Sequence, residues 1–442
     1  MEPGIVLVVA GVACVFAAIL AAAGAFIVTR RAAKWISAGL ALAFVLTSVG
    51  LFIRAPLVPA NSTAPVPNGL TLISAVNGRG GDTISALSAR DGTTAHWRHS
   101  AGTFISAAPV VRDGVVYVTD QQPGGNGASV SALRLADGST LWRSAFSTTV
   151  LSAPVVADGH VYVAALLITA GPPDRQIVAL DAATGKETWR QSAGDSFFFA
   201  PASRPLAAAA GLVITGGGAA GAAGVVALRA ADGRIVWTVP SAPDGSLASV
   251  IISDDMVLVL PAEGPAHNQI TALRLADGLP LWTLSAAGST LGALTIASGA
   301  LYIAAHDDSA ITNGQDGSAG WFVNAYALRD GSLRWRHPAG GPAVSLASDG
   351  DTLFVSTTQS LHALRPGDGS ELWQRDDSYS ALLAAPGALF AVSTEVPDGP
   401  RLCPLTPCSG AIVQLSALSL RDGSAYWNIQ TDSPPLLALA SV

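Results

Sequence analysis

The sequence predicts an all-β fold, an eight-bladed β-propeller of four-stranded antiparallel blades, preceded by a transmembrane helical hairpin. Three observations lead to this fold class. A string of about eleven residues that ends in tryptophan occurs eight times, and a glycine occupies the same place in every copy. The segment before the first tryptophan lacks one strand, which the segment after the last tryptophan supplies. Regular repeats of this length are typical of a closed ring of similar sheets.

The chain begins with two apolar runs. Residues 4–28 form a stretch of 25 residues without a charge, and residues 36–53 form a second stretch of 18. Each is long enough, at about 1.5 Å per residue, to cross a hydrocarbon core roughly 30 Å thick. A cleaved signal peptide would begin with basic residues and have a shorter apolar core, whereas this chain begins MEPG. Residues 1–54 are therefore predicted to form a transmembrane helical hairpin, with a single inserted helix and a cytoplasmic domain as the alternative.

The charges around the two runs predict their orientation. The turn 29–35 contains Arg30, Arg31 and Lys34, whereas the far side of the second run has only Arg54. Because positively charged loops stay in the cytoplasm, the turn should be cytoplasmic and the rest of the chain extracytoplasmic, at the cell membrane. Residues 55–68 contain four prolines and predict a semi-rigid linker. Residues 69–442 are then the propeller.

The repeated string is clearest at Ala179–Trp189, which reads ALDAATGKETW. Successive tryptophans of the eight copies are 45, 47, 48, 45, 53, 38 and 54 residues apart, near the roughly 40 to 50 residues of a propeller blade. The sixth copy, read as ALRDGSLRW, lacks two residues. The eight tryptophans are Trp97, Trp142, Trp189, Trp237, Trp282, Trp335, Trp373 and Trp427.

One period predicts four strands and two tight turns. After Trp142 the chain has a β-branched run, a turn at Asp158-Gly159 and an alternating run; QIVALDA, a turn at Thr184-Gly185 and KETWRQS follow. Strands joined in this way form an antiparallel meander. The glycine of the last turn recurs in every copy, as a turn residue with positive φ requires. These glycines are Gly92, Gly138, Gly185, Gly233, Gly278, Gly331, Gly369 and Gly423.

The two ends of the repeat region predict how the ring closes. Before Trp97 there is room for three strands, at about 70–76, 83–88 and 94–100, and after Trp427 one strand remains, PPLLALASV. An unpaired strand edge promotes aggregation, so we expect the last strand to complete the first blade. The tryptophans would then provide flat surfaces between blades, each burying on the order of 200 Å².

The string resembles the tryptophan-docking motif of the pyrroloquinoline-quinone (PQQ) type eight-bladed propellers. The resemblance covers about residues 69–442, and it implies that each tryptophan docks onto small residues of its own blade and of the neighbouring blade. Most copies read D-G where the family motif reads T-G. The residues of the third copy that match the family motif are Ala179, Leu180, Asp181, Thr184, Gly185, Lys186 and Trp189.

The resemblance implies two classes of function. Quinoprotein dehydrogenases hold PQQ and Ca²⁺ under long insertions above the channel; this chain has no adjacent cysteine pair and only about 47 residues per blade. The second class resembles the periplasmic scaffold of the outer-membrane assembly machine and sensor domains attached to membranes. We therefore predict a non-catalytic module that binds or scaffolds proteins, without catalytic residues or a cofactor. A membrane-bound PQQ-dependent dehydrogenase and a sensor of small ligands or carbohydrates are the alternatives.

Three loops contain further candidate residues. Cys403 and Cys408, in CPLTPC, are predicted to form a disulfide if the loop is extracytoplasmic, because a metal site would need two further ligands. An oxygen-rich loop offers weak Ca²⁺ ligands, but its spacing misses the EF-hand template, so a solvated loop is expected. These ligands are Asp307, Asp308, Asn313 and Asp316. A possible partner patch consists of Phe197, Phe198 and Phe199.

The sequence argues against a dinucleotide site, a metal site at a histidine pair and nucleic-acid binding. Residues 216–221 satisfy G-x-G-x-x-G, but a strand follows where a dinucleotide site needs a helix. His96 and His99 lie three apart on one strand and point to opposite faces. From Gly69 onward there are 20 basic and 30 acidic residues, which argues against nucleic acid. The expected partners are the membrane, through the two helices, and a protein.

Overall fold

The computed structural model describes most of the repeat region. By its contacts, nearly all of the described chain belongs to one compact unit, Arg54–Thr394 with Val413–Val442. The predicted hairpin 1–54, with helices 4–28 and 36–53, and the linker 55–68 lie outside the described residues. None of the described segments is a helix with the length and apolarity that crossing a membrane takes. The described residues are 70–77, 82–92, 95–101, 104–122, 127–147, 150–167, 174–192, 206–216, 224–240, 247–261, 269–286, 290–306, 320–395, 412–431 and 433–441.

Strands in the first half of the described chain form four blades. Blade 1 contains β1 (Leu70–Val76), β2 (Thr83–Ser88) and β3 (Ala95–Ser100). Blade 2 contains β4 (Phe104–Ile105), β5 (Val110–Arg112), β6 (Val115–Gln121), β7 (Ala128–Arg134) and β8 (Thr140–Phe146). Blade 3 contains β9 (Val150–Leu151), β10 (Val155–Ala157), β11 (His160–Leu167), β12 (Asp174–Asp181) and β13 (Glu187–Ser192). Blade 4 contains β14 (Leu206–Ala209), β15 (Leu212–Gly216), β16 (Gly224–Arg229) and β17 (Ile235–Pro240).

The second half forms four more blades and a closing strand. Blade 5 contains β18 (Leu247–Ser253), β19 (Met256–Pro261), β20 (Gln269–Arg274) and β21 (Pro280–Ser285). Blade 6 contains β22 (Thr290–Ala297), β23 (Ala300–His306), β24 (Trp321–Ala327) and β25 (Leu333–Pro338). Blade 7 contains β26 (Ala343–Ser348), β27 (Leu353–Thr357), β28 (Leu361–Leu364) and β29 (Glu371–Arg375). Blade 8 contains β30 (Ala381–Ala385), β31 (Ala388–Glu395), β32 (Ile412–Leu418) and β33 (Ala425–Thr431), and β34 is Leu436–Ser441.

The sheets are the predicted antiparallel meanders, and the first one is composite. In blade 1, β1 pairs with β2 on one side and with β34 on the other, where Leu70 lies opposite Ser441. The prediction that the C-terminal strand completes the first blade is therefore confirmed. Blades 2 and 3 have five strands because the first strand of each is split in two, near Pro109 and Pro154. Proline cannot donate a ladder hydrogen bond, which accounts for both interruptions.

Among the described residues, the hydrophobic core is divided into eight clusters, one at each interface between neighbouring blades. The cluster between blades 3 and 4, for example, joins Tyr162 and Trp189 to Val213 and Val226. The cluster between blades 8 and 1 joins Leu72 to the blade 8 residues around Trp427. A four-stranded meander buries its faces only against its neighbours, so these interfaces hold the ring together.

Each tryptophan docks in the same way on its own blade and on the next one. Within a blade, it lies opposite the alanine that begins the string, as Ala179 lies opposite Trp189. On the next blade its Nε1–H donates to a backbone carbonyl, and its ring lies against the turn glycine. For Trp189 the acceptor is the oxygen of Ala230 at 2.7 Å, and the glycine is Gly233. The other acceptors are the carbonyls of Ala89, Leu135, Ala182, Leu275, Leu328, Pro366 and Leu420.

The sixth copy is complete, which corrects the sequence interpretation of it. Ala325, not Ala327, lies opposite Trp335, so this copy reads AYALRDGSLRW. The spacing from its alanine to Gly331 and to Trp335 then equals that of the third copy. The apparent deletion arose because Ala327-Leu328 repeats the usual Ala-Leu pair two residues late, while Tyr326 takes the place of the usual leucine.

Two local networks close the turn before the tryptophan. In the D-G copies the aspartate accepts from the backbone N–H two residues later, as Asp137 Oδ1 does from Ser139 at 2.9 Å. In the T-G copy, Asp181 Oδ1 instead accepts from the backbone N–H of Thr184 at 2.8 Å. Hydrogen bonds from the side chain and backbone of these partners lower the pKa of Asp137 and that of Asp181. The D-G and T-G sequences therefore form the same turn with different hydrogen bonds.

Candidate functional site

The docking tryptophans and the turn glycines mainly pack neighbouring blades against each other. Five of the eight tryptophans are buried and three are half-buried, namely Trp282, Trp335 and Trp373. Each indole N–H donates to a carbonyl of the next blade, as described above. All eight turn glycines have φ between +67° and +72°. Their contacts stabilise the ring, so a binding site has to be sought on the surfaces that docking leaves exposed.

Most of the large exposed apolar side chains in the described part of the chain lie on or beside the outer strands of the blades, Phe104 on β4 being the exception. Ile235 and Val236 on β17 are 47% and 43% exposed, and Leu279 and Leu281 beside and on β21 are 52% and 42% exposed. We call these four residues of blades 4 and 5 the outer apolar patch. Blades 2, 6 and 7 each add an exposed residue on their outer strand. These are Leu141, Leu333 and Leu372.

The strands that carry the outer apolar patch are also sheet edges. In the described part of the chain, β17 and β21 each end their sheet and pair on one side only. An edge strand with exposed apolar side chains accepts an additional strand readily. The patch is therefore a candidate protein-binding surface.

A second candidate is a cluster of two histidines and a glutamate between blades 6 and 7. His337 lies near the end of β25 in blade 6, while His362 on β28 and Glu371 on β29 belong to blade 7. We call these three residues the histidine cluster. His337 follows Trp335 by two residues, so both side chains leave β25 on the face toward blade 7. The cluster therefore crosses the interface between two blades.

Short hydrogen bonds hold the blade 7 half of the histidine cluster. His362 Nδ1 lies 2.8 Å from Glu371 Oε2, and His362 Nε2 lies 2.7 Å from Ser360 Oγ. Ser360 Oγ is in turn 2.9 Å from Thr357 Oγ1. His362 is thus bonded through both ring nitrogens, and its orientation is fixed by the turn between β27 and β28.

The blade 6 half of the histidine cluster is looser. His337 Nε2 is 4.0 Å from Glu371 Oε2, and the two side chains are 20% and 37% exposed, whereas that of His362 is 8% exposed. Burial and the neighbouring His362 lower the pKa of His337, while Glu371 and a hydrogen bond to the Gly369 backbone partly oppose this shift. The neutral imidazole is therefore favoured at His337.

The fold does not impose the histidine cluster. His337 lies two residues after the docking tryptophan of blade 6, and His362 directly precedes the docking alanine of blade 7. The other seven interfaces have different residue types at this pair of positions. Between blades 5 and 6 they are Leu284 and Asn324, and the amide of Asn324 is buried without a hydrogen-bond partner among the described residues. The remaining pairs are His99 and Ser131, Ser144 and Val178, Gln191 and Val226, Val239 and Thr271, Arg375 and Ser416, and Ile429 and Ser85.

The candidates drawn from the loops lie outside the described residues. This applies to the predicted disulfide Cys403–Cys408, to the weak Ca²⁺ ligands and to the patch 197–199. The strand predicted after residues 216–221 is present as β16. His96 and His99 lie on β3 and remain apart from the histidine cluster. The sequence analysis did not identify that cluster, because its three residues lie on three different strands. They come together only where blade 6 packs against blade 7.

A comparison with family models identifies the family of the chain. A model described as the outer membrane protein assembly factor BamB matches residues 80–224, 173–342 and 319–442. These overlapping matches span nearly all of the ring. Among proteins of curated function, none matches the sequence.

Solved structures of low identity have the same fold. BamB from Moraxella catarrhalis is 17% identical, and the match covers 77% of this chain and 96% of that one with a TM-score of 0.51. The computationally designed Ika8 protein is 14% identical, with 75% and 89% covered and a TM-score of 0.54. The quinohemoprotein alcohol dehydrogenase ADHIIG from Pseudomonas putida HK5 is 15% identical, with 78% and 71% covered and a TM-score of 0.50.

These structures show the propeller fold alone, since BamB and a dehydrogenase match this chain almost equally well. The resemblance to the PQQ-type propellers is confirmed, and the family model is more specific than the fold. Because that model matches well over half of the chain, this protein belongs to the family of the outer membrane protein assembly factor BamB.

Proposed function

We propose that this protein is a non-catalytic scaffold that binds another protein through the rim of its propeller. The family description names an assembly factor, and such a role needs a rigid ring with an accessible binding surface. The observation that carries the proposal is the outer apolar patch, which places Ile235, Val236, Leu279 and Leu281 on the edges of adjacent blades. We propose that the module takes no quinone cofactor.

An extended segment of the partner would bind by strand addition. It would pair its backbone with the open edge of β17 or β21, and its apolar side chains would cover the exposed apolar residues of that strand. Backbone pairing supplies affinity, while alternate side chains supply specificity. A partner of this kind is an incompletely folded β-rich protein, which has unpaired strands to offer.

We expect the double substitution Val236→Lys and Leu281→Lys to weaken capture of the partner by about tenfold or more, because two desolvated anchors become charged. The measurement is cross-linking in native membranes, followed by mass spectrometry with the wild-type chain as reference. The control is Thr188→Lys, at the equivalent exposed position of blade 3. Both variants should keep the wild-type melting temperature, since these side chains are exposed.

Two results would contradict the proposed function. The first is an unchanged set of cross-linked proteins in the Val236→Lys and Leu281→Lys variant. The second is stoichiometric retention of the PQQ chromophore by the full chain in the presence of Ca²⁺, which would indicate a quinoprotein dehydrogenase instead of a scaffold.

We further propose that residues 1–54 anchor the propeller on the extracytoplasmic face of the cell membrane. The charges of the turn 29–35 support this topology. A reporter enzyme that is active only outside the cytoplasm, fused after Val442, should be active in intact cells. The same reporter inserted after Lys34 should be inactive, and the reverse pattern would refute the topology.

A further inference from the structure

The donor atoms of the histidine cluster have the composition of a transition-metal site. The two histidines and the glutamate offer one ligand atom each, and the three atoms lie within 4.8 Å of one another. Two imidazoles and one carboxylate leave further coordination positions open, as in sites that bind Zn²⁺ through three protein ligands. Blades 6 and 7 both contribute, so a bound ion would join them.

The distances require small movements of the three side chains, since the ligand atoms already lie within 4.8 Å of one another. Bonds of roughly 2.0 to 2.2 Å place the ligand atoms of a tetrahedral zinc ion roughly 3.3 Å apart. His362 Nδ1 and Glu371 Oε2 are already closer than this, at 2.8 Å. His337 Nε2, at 4.0 Å from the same oxygen, has to approach by less than the length of one bond. His337 is the next-to-last residue of β25, where the strand constrains it least.

The partner behind His362 suits metal ligation, and His337 is also held by a backbone hydrogen bond. The second nitrogen of His362 faces Ser360 Oγ, a hydroxyl that either donates or accepts, so Nδ1 is able to give up its proton while Nε2 gains one. The hydrogen bond between His337 and the Gly369 backbone corresponds to the one that Ser144 donates to the Gly185 carbonyl in blade 3. Metal-bound histidines commonly have such partners on the nitrogen that does not bind the ion.

Access and charge also favour a cation. Glu371 is 37% exposed and His337 is 20% exposed, so two of the three side chains are accessible to solvent. Arg336, which neighbours His337, stacks over the ring of Phe322 with 3.5 Å from Cζ to the ring centroid and so turns to the other face of β25.

We propose that His337, His362 and Glu371 form a Zn²⁺ site that fastens blade 6 to blade 7. Zn²⁺ would replace the hydrogen bond between His362 and Glu371 with two coordination bonds and would bring in His337 as the third ligand. Water would complete the coordination on the exposed side. This site is independent of the outer apolar patch and of the scaffold function.

Zn²⁺ binding to the purified full chain tests the proposal. We expect one high-affinity Zn²⁺ per chain by calorimetry and by metal analysis after gel filtration, and a higher melting temperature with Zn²⁺. His337→Ala and Glu371→Gln should each weaken this binding by at least about tenfold. Co²⁺ at the site should give the absorption bands of a tetrahedral complex, and those bands should be lost in both variants.

The chain provides matched controls at equivalent positions of other blades. His99→Ala changes the histidine two residues after Trp97, and Glu187→Gln changes the glutamate two residues before Trp189. Both controls should bind Zn²⁺ as the wild-type chain does. Glu371→Gln keeps an oxygen that accepts from His362, so it should fold. Failure of the wild-type chain to bind Zn²⁺, or binding that His337→Ala and Glu371→Gln leave unchanged, overturns the proposal.

Discussion

Replacement of Trp237 by alanine is expected to lower the free energy of unfolding by about 3 to 5 kcal/mol, the cost typical of removing a buried tryptophan. The indole is 9% exposed and packs against Gly278 of the next blade, and its Nε1–H donates to the Leu275 carbonyl at 2.9 Å. The substitution creates a cavity between blades 4 and 5 and leaves that carbonyl without its partner. Urea unfolding followed by circular dichroism measures the change.

Val236 is the control for this prediction because it precedes Trp237 on the same strand and is 43% exposed. Val236→Ala should change the free energy of unfolding by less than about 0.5 kcal/mol. Equal unfolding midpoints for Trp237→Ala and the wild-type chain would mean that docking contributes nothing to the stability of this interface.

Alanine at Gly185 is expected to destabilise the ring more than alanine at Gly159, although both glycines belong to blade 3 and have φ near +70°. At Gly159 the added Cβ meets no heavy atom within 4 Å, so only the left-handed backbone conformation costs energy, about 1 to 2 kcal/mol. At Gly185 the Cβ would lie 2.5 Å from Cε3 of Trp142. The indole then has to move, which adds about 1 to 3 kcal/mol.

The comparison of the two glycine variants separates backbone strain from docking. Urea unfolding of both proteins gives the two costs, and their difference is the part that arises from Trp142. If the two variants lose the same amount of stability, the indole of Trp142 leaves room for a Cβ at Gly185. Glycine is then needed at this position only because of its positive φ.

The fold was predictable from the sequence because every blade needs the same few residue types at the same spacing. Every blade needs a flat side chain, a small residue opposite it and a glycine in the next turn, so one recognised copy such as Ala179–Trp189 makes the others visible. The exception is the sixth copy, where Tyr326 obscured the docking position of Ala325. Strand register, which only the structure provides, decided which alanine lies opposite Trp335.

The candidate sites were less predictable, for a different reason. His337, His362 and Glu371 are chemically ordinary in the sequence, separated by up to 34 positions and interrupted by residues of the core. They meet because β25 of one blade faces β28 and β29 of the next. The outer apolar patch was missed because Val236 and Leu281 look like core residues in an alternating strand until the outermost position of that strand is known.

The composite first blade determines when the ring can finish folding. Trp427 donates to the Ala89 carbonyl, a contact between residues 338 positions apart, and β34 is the last strand of the ring. At about 5 to 20 residues per second, synthesis of the intervening chain takes roughly 20 to 70 s. Throughout that time β1 has an unpaired edge, so the newly made chain must be protected from premature strand pairing until β34 is available.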